Sequence, residues 1–260
     1  MKSQTTKVLC SWSTILLILL ALPNLTFAQA EKDSLVVRHI SGSATVTNNG
    51  ISIVPSFSLG KPAVIFDLSI GGEKLSFEPQ FRFALEGKPW SFVFWFRYKP
   101  VNKEKFRLQF GAHPALMFHD LTIQDAGFAE DGLEARRFVA AEVAPTIYLS
   151  NHFRLEPYYL VGHGFDRGLT NTNYLTMRGS IFDMGIGKQL LLSITPEVYY
   201  LRMDGVDGFY TASALSLKHR KLPLTFGGMV NKKINSDIDS KDFLWNLSLT
   251  YSFGRQYKGI

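Results

Sequence analysis

The stretch from Lys74 to Tyr98 constrains the fold of this chain more than any other, because its side chains alternate in character along two consecutive segments. Apolar residues, most of them aromatic, occupy every second position on both sides of a turn at Glu86–Pro89. Polar, charged or small residues fill most of the positions between them. Successive side chains of a β-strand point to opposite faces, so the pattern predicts a hairpin with one aromatic and one charged face. The aromatic face carries Phe77, Phe81, Phe83, Phe92, Phe94 and Phe96.

The same alternation recurs from Gly50 to Phe253, in segments of about ten residues separated by Gly, Pro, Asn and Asp. The sequence therefore predicts about twelve strands, the first at 51–59 and the last at 243–253. Residues 31–49 are mostly polar, and we expect a loose leader or a short extra strand there. Residues 254–260 are expected to form a C-terminal tail.

The N-terminus has the composition of a secretory signal peptide. Lys2 and Lys7 precede an apolar run that ends at Leu22, and small residues at cleavage spacing follow before residue 30. The run is short for a helix that spans a bilayer, so 1–30 is assigned to a signal peptide, with an N-terminal membrane anchor as the alternative. Cys10 is the one cysteine of the chain, so the exported part would fold without disulfides.

The lengths of the connections indicate a membrane barrel rather than a soluble sandwich. The long polar connections at 119–136, 164–173, 203–208 and 231–241 all follow odd-numbered strands, whereas those after strands 6, 8 and 10 are short. Transmembrane barrels have short turns at one end and long loops at the other. Aromatic residues also crowd the predicted strand ends, as interfacial girdles do: Trp90, Tyr98, Tyr148, Tyr200, Tyr251 and Phe253.

Composition excludes several other classes. Charged residues make up 19% of the chain, below the roughly 25% that is usual for soluble domains. No segment after Leu22 approaches 18 consecutive apolar residues, which argues against a helical membrane protein. Without the expected signal peptide the formal net charge is +4, from 26 basic and 22 acidic residues, and it is mild and scattered, so no nucleic-acid partner is expected.

Over residues 50–253 the chain resembles the single-chain outer-membrane β-barrel proteins of Gram-negative bacteria. Its last predicted strand, WNLSLTYSF at Trp245–Phe253, is similar to the terminal strand that the barrel-assembly machinery recognises in that family, although it lacks the usual glycine and a seven-residue tail follows it. The resemblance implies an all-β, antiparallel up-and-down barrel in the bacterial outer membrane. It also implies lipid, lipopolysaccharide and the barrel-assembly machinery as partners.

In such a barrel the charged face turns inward. Two functions are open: a small porin-like channel or solute-uptake pore with a lumen of mixed charge, or a structural or binding barrel with a closed lumen. Twelve strands lie between the filled eight-stranded barrel and the open sixteen-stranded pore. The predicted lumen-lining residues are Asp67, Glu78, Arg82, Arg97, Arg107, Glu142, Arg154, Glu156, Asp183 and Glu197.

A third hypothesis is an outer-membrane lipid acyl hydrolase, which needs a serine and a histidine at one rim. The candidate histidines are His113, His119 and His163, and Ser150–His152 falls on the short-turn side. The acidic residues after His119 match no calcium-loop spacing. No catalytic residue, metal ligand or cofactor is therefore assigned.

Overall fold

The structure, a computed structural model, describes residues 37–52, 54–125 and 128–258. The expected signal peptide lies outside these residues. The described chain forms twelve β-strands and one short 3₁₀ helix at Pro55–Phe57. The strands are β1 (Val37–Thr47), β2 (Ala63–Gly71), β3 (Leu75–Ala84), β4 (Pro89–Asn102), β5 (Phe106–Asp125), β6 (Phe128–Tyr148), β7 (Phe153–Gly164), β8 (Asn171–Ile186), β9 (Leu190–Met203), β10 (Val206–His219), β11 (Leu224–Ser236) and β12 (Phe243–Lys258).

Each strand pairs antiparallel with its neighbours in the sequence, and β1 pairs with β12 to close the barrel. This seam runs in unbroken register from Val37 opposite Lys258 to Thr47 opposite Ser248. Closure pairs every strand on both sides, which is what a sheet needs in a medium that offers no water to its backbone. The predicted all-β, twelve-stranded, antiparallel barrel is confirmed. Among the described residues there is no helix of the length and apolarity that a membrane crossing requires.

The first strand is not where the sequence pattern put it. Residues 37–47, where we expected a loose leader or a short extra strand, form β1. Residues 51–59, expected to be the first strand, hold the 3₁₀ helix instead. The outward face of β1 holds the small residues Gly42 and Ala44 beside Ile40 and Val46, so it is only weakly apolar and the alternation is faint. At the other terminus β12 continues to Lys258, so most of the expected tail is also strand.

The predicted connection at 119–136 is also largely strand. The β5–β6 ladder extends from Phe106 opposite Ile147 to Asp125 opposite Phe128. Polar and charged residues interrupt the alternation of the sequence near this tip, so the pattern did not predict these strand ends. The strand β8 likewise begins at Asn171, well before the predicted start at Phe182.

The two faces of the wall differ as a membrane barrel requires. Large apolar side chains are exposed around the outer surface, from Ile40 and Phe66 to Trp245 and Phe253. Buried residues lie inside and include both polar side chains, such as Glu142 and Thr176, and aromatic ones, such as Tyr174. The apolar outside and polar inside reverse the arrangement of a soluble barrel.

The barrel has two unlike ends. The three longest connections between described strands are 48–62, 165–170 and 237–242, and all follow odd-numbered strands. We call their end the long-loop end. The opposite end, the short-turn end, contains Val37, Lys258 and the brief connections after the even-numbered strands.

Candidate functional site

A cavity of about 700 Å³ lies inside the barrel, and we call it the lumen cavity. Side chains alternate between the two faces of each strand. The apolar ones point to the outer face, so most of those that line the cavity are polar. Residues from at least seven strands contribute to it. They include Ser43, Asp67, Ser69, Glu78, Gln80, Arg82, Arg97, Arg107, Gln109, Glu142, Glu156 and Arg178.

Arg97 is the centre of the charged network in this cavity. Its Nε lies 2.8 Å from Glu142 Oε1, and its Nη1 donates to Glu78. Glu142 is almost fully buried and also accepts hydrogen bonds from Gln109 Nε2 at 3.0 Å and from Tyr158 Oη at 2.7 Å. A buried carboxylate is tolerable only when it is paired and hydrogen-bonded in this way.

A glycine makes room for Glu142. Gly111 lies directly opposite it in the β5–β6 register. A Cβ atom on Gly111 would lie 2.6 Å from Glu142 Oε1. A glycine inside a strand often marks such a close approach, and this is the signal in the sequence that could have identified the site.

Two further ion pairs lie inside the wall. Arg178 Nε lies 2.7 Å from Glu197 Oε2. Arg154 Nε lies 2.9 Å from Glu156 Oε2, an electrostatic contact in an orientation that does not form a hydrogen bond. The interior thus balances arginines against carboxylates and leaves no large excess of either sign around the lumen cavity.

The ten residues expected in the lumen fall into three groups. Seven border the lumen cavity: Asp67, Glu78, Arg82, Arg97, Arg107, Glu142 and Glu156. Arg154 and Glu197 do not border it but form ion pairs with Glu156 and Arg178, which do. Asp183 is exposed, because the β8–β9 register shifts between Ile181 and Met184 and Asp183 adopts a positive φ of 54°. A bulge changes which face a side chain takes, and alternation alone cannot locate one.

The sequence pattern did not identify the aromatic filling of the long-loop half. Tyr158, Tyr174, Tyr199 and Tyr210, which we call the tyrosine cluster, lie buried inside the barrel with Leu201. The rings of Tyr199 and Tyr210 stack with centroids 4.9 Å apart and an interplanar angle of 5°. Tyr199 Oη also accepts a hydrogen bond from Asn231 Nδ2 at 2.5 Å. Tyrosine suits both faces of a membrane strand, so the residue type alone does not say whether it points inward.

The connection between β1 and β2, residues 48–62, folds into the barrel, and we call it the inner segment. Val54 is buried against the tyrosine cluster, and Phe57 packs against the same group. The ring of Phe57 also meets Phe138 edge-on at 5.5 Å. Gly50 lies against the barrel wall, since a Cβ there would come within 3.0 Å of the Trp90 ring.

Trp90 fastens the inner segment to β4. It is buried, and its Nε1 donates to the backbone oxygen of Phe57 at 3.0 Å. The expectation that Trp90 belongs to an outer aromatic girdle is therefore wrong. The β3–β4 register shifts between Arg82 and Phe83, and this bulge lets Trp90 and Ser91 both be buried.

The six phenylalanines of the hairpin β3–β4 lie on the face away from the lumen cavity. They alternate along the strands with cavity residues such as Glu78, Arg82 and Arg97. Phe96 is 57% exposed, and its ring contacts that of Phe77 at 4.9 Å. The rings of the other four, Phe81, Phe83, Phe92 and Phe94, contact one another at 5.4–5.9 Å.

The histidines form no catalytic triad among the described residues. His163 Nδ1 contacts Asn171 Oδ1, and His152 Nδ1 contacts the backbone oxygen of Phe182. His113 stacks edge-on against Trp95. The one hydrogen bond between a histidine ring and a serine hydroxyl joins His39 Nε2 and Ser69 Oγ at 2.8 Å, and no described carboxylate orients that ring. The described part of the chain also contains no group of three or more His, Cys, Asp or Glu that could hold a metal ion.

Charged side chains at the long-loop end pair across neighbouring connections. Arg137 Nη2 lies 2.7 Å from Asp166 Oδ1, and the Arg137 backbone N–H donates to Asp166 Oδ2 at 2.7 Å. These donors lower the pKa of Asp166 to about 2, since they stabilise its ionised form.

Comparison with solved structures shows the same fold. The chain resembles the KdgM porin in complex with disordered oligogalacturonate, with a TM-score of 0.51 and 11% identity over 83% of this chain and 99% of that one. It also resembles the COG4313 outer-membrane channel from Pseudomonas putida F1, with a TM-score of 0.50 and 10% identity over 88% and 98%. No protein-family model matches the chain, and no curated protein matches it significantly. The chain therefore shares its closed β-barrel fold with outer-membrane proteins, and its outer wall is apolar, as a barrel that spans a membrane requires.

Proposed function

We propose that the protein is a narrow outer-membrane channel for small polar solutes, constricted by the inner segment and the tyrosine cluster. The observation that supports this most is the lumen cavity, a polar space of about 700 Å³ inside a closed barrel. A barrel that served only as a membrane scaffold would have no need of a charged interior, because apolar packing fills a lumen at less cost.

The balance of charge in the lumen sets the expected selectivity. Arg97 is paired with two carboxylates, Arg178 with Glu197 and Arg154 with Glu156. Paired charges give a lumen little net potential, so neither anions nor cations should be strongly preferred. The solutes are then small, neutral or zwitterionic polar molecules that can exchange hydrogen bonds with the wall.

Single-channel recording in a planar lipid bilayer tests the proposal. We expect small conductance steps and a reversal potential near zero in a salt gradient. Tyr210→Ala should enlarge the steps, because it removes a ring that is only 1% exposed in the long-loop half. Tyr251→Ala, on the outer wall and 51% exposed, is the matched control and should leave them unchanged.

A closed structural or binding barrel is the second candidate, and the filling of the long-loop half favours it. Val54, Phe57 and the tyrosine cluster pack together there as a small apolar core. If the folded protein gives no conductance above that of the bare bilayer, and Tyr210→Ala gives none either, the channel proposal fails and the closed barrel stands.

The proposal includes partners. Lipid and lipopolysaccharide would surround the apolar belt, and the barrel-assembly machinery would act on the last strand. Recognition by the barrel-assembly machinery is supported by the apolar row on β12, whose side chains are all exposed on the outer wall: Trp245, Leu247, Leu249, Tyr251 and Phe253. Replacing this apolar row with serine should lower the yield of inserted barrel in cells, measured by heat-modifiable mobility of membrane fractions.

A further inference from the structure

A second, smaller cavity lies in the long-loop half, between the inner segment and the wall. Its volume is about 130 Å³, and we call it the small chamber. A water molecule takes up about 30 Å³ in the liquid. The small chamber therefore has space for about four waters, or for one small ion together with one or two waters. Its polar lining comprises Arg82, Ser91 and His113 on β3, β4 and β5, together with Ser52 of the inner segment and Thr172 of β8.

Three buried polar atoms of this lining have no hydrogen-bond partner among the described residues. They are Arg82 Nε, Ser91 Oγ and His113 Nδ1. Ser91 is only 2% exposed and lies directly opposite Arg82 in the β3–β4 register. Nearly all buried polar groups in native proteins are satisfied, so three orphans around one cavity indicate a missing occupant.

Neighbouring rings fix these groups in place. The Arg82 guanidinium lies over the Trp90 ring at 5.1 Å from its centroid, a cation–π contact. The His113 ring meets the Trp95 ring edge-on at 4.1 Å, and Arg97 covers Trp95 from 4.4 Å. The donors are therefore held in position before any ligand arrives, which reduces the entropy lost on binding.

The charge of the small chamber is positive. Arg82 is the one charged residue in its lining. Asp67 acts on Arg82 only through space, since its two oxygens accept from Ser43 Oγ at 3.2 Å and from Gln80 Nε2. Arg82 forms no ion pair with any described residue, in contrast to Arg97, which contacts two carboxylates.

We propose that the small chamber binds a small inorganic or carboxylate anion of about the size of a halide or formate. The Arg82 guanidinium and the Ser91 hydroxyl donate hydrogen bonds to it, and a hydrogen bond to an ionised acceptor is among the strong ones. His113 Nδ1 adds a third donor in the tautomer that protonates it. This binding does not depend on conduction, so it can hold whether the barrel is open or closed.

Iodide quenching of tryptophan fluorescence tests the site, because Trp90 and Trp95 lie beside it. In a Trp12→Phe, Trp245→Phe background these two indoles are the remaining tryptophans. We expect quenching by iodide that saturates, as binding to a site does, and none by caesium. Formate should displace iodide competitively. Arg82→Gln should weaken iodide affinity about tenfold, the effect of losing one strong charge-assisted contact.

Arg107→Gln is the matched control, since Arg107 borders the lumen cavity but not the small chamber. Ser91→Ala removes a single oxygen and should weaken iodide affinity by about threefold. It provides the test if Arg82→Gln disturbs folding, which circular dichroism and heat-modifiable mobility would reveal. Quenching that rises linearly without saturation, or that Arg107→Gln weakens as much as Arg82→Gln or Ser91→Ala does, would overturn the site and leave a chamber that holds water alone.

Discussion

The indole Nε1 of Trp90 donates a hydrogen bond of 3.0 Å to the backbone oxygen of Phe57, and this bond ties the inner segment to the barrel wall. Trp90→Phe keeps an aromatic ring but removes the donor. A hydrogen bond of this type contributes about 1 kcal/mol, so the population with a displaced inner segment should rise roughly fivefold. In single-channel recordings the variant should spend more time in its larger conductance states.

The control for Trp90→Phe is Trp245→Phe, which alters an indole that is 49% exposed on the outer wall. It should leave the distribution of conductance states as it is. Equal behaviour of the two variants would show that the bond to Phe57 does not hold the constriction.

Removing Arg97 should destabilise the barrel, because Glu142 would remain buried without its counter-charge. We expect Arg97→Met to lower the free energy of unfolding by about 3 kcal/mol, the low end for a broken buried pair, since the lumen is partly wet. Urea titration of the refolded protein in lipid vesicles, followed by tryptophan fluorescence, measures the change.

Two variants check this interpretation. Arg107→Met should lower the free energy of unfolding by less than about 1 kcal/mol. The reason is that Arg107 Nε donates to a neutral partner near the rim, Asn102 Oδ1, at 2.9 Å. Adding Glu142→Gln to Arg97→Met should restore part of the loss. A double variant less stable than Arg97→Met alone would contradict the proposed cost of the unpaired carboxylate.

The pair Arg137–Asp166 should make the long-loop end sensitive to strong acid. The pKa of Asp166 lies at about 2 in the folded protein, below its ordinary value of 3.8. A carboxylate with a lowered folded-state pKa contributes stability above the ordinary value and loses that contribution as pH falls from there through about 2. Arg137→Gln should raise the pKa of Asp166, as measured by carboxyl ¹³C NMR during an acid titration.

The matched control for this titration is Arg167→Gln. The Arg167 guanidinium pairs with Glu134 at 2.8 Å rather than with Asp166. The pKa of Asp166 should therefore stay at about 2 in this variant, and a rise as large as that in Arg137→Gln would refute the assignment to one ion pair.

A charged side chain on the lipid face should reduce the stability of the barrel more at the middle of the wall than at its end. Phe96→Arg, at a position 57% exposed within β4, should lower the free energy of unfolding in vesicles by about 2–4 kcal/mol. Ile234→Arg, at a position 61% exposed beside the 237–242 connection, should cost about 0–1 kcal/mol. Equal costs would mean that the belt does not face lipid as proposed.

Alternation predicted the barrel well wherever one face met lipid and the other met polar groups, as in Leu75–Ala84 and Phe243–Phe253. It failed where that contrast is weak. In β1, Ser and Thr share the inner face, and the outer face holds Gly42 and Ala44 beside Ile40 and Val46. In the far part of β5–β6, polar and charged residues interrupt the alternation of the sequence. It also failed where apolar residues turn inward, as Val54 and Phe57 do, because a sequence shows apolarity without showing direction. Bulges at Trp90 and Asp183 add single-residue shifts that no periodic pattern contains.

The seam between β1 and β12 also sets an order of events in folding. Thr47 and Ser248 are partners in one ladder although 200 residues separate them along the chain. Local hairpins such as β5–β6 can form as soon as their own residues are available, but the seam can form only when the last strand has been made. Contacts between such distant residues slow folding, because a long loop must be closed before they form. Until the seam closes, the edge strands β1 and β12 both have unpaired backbone groups. The chain is most prone to aggregation during this period.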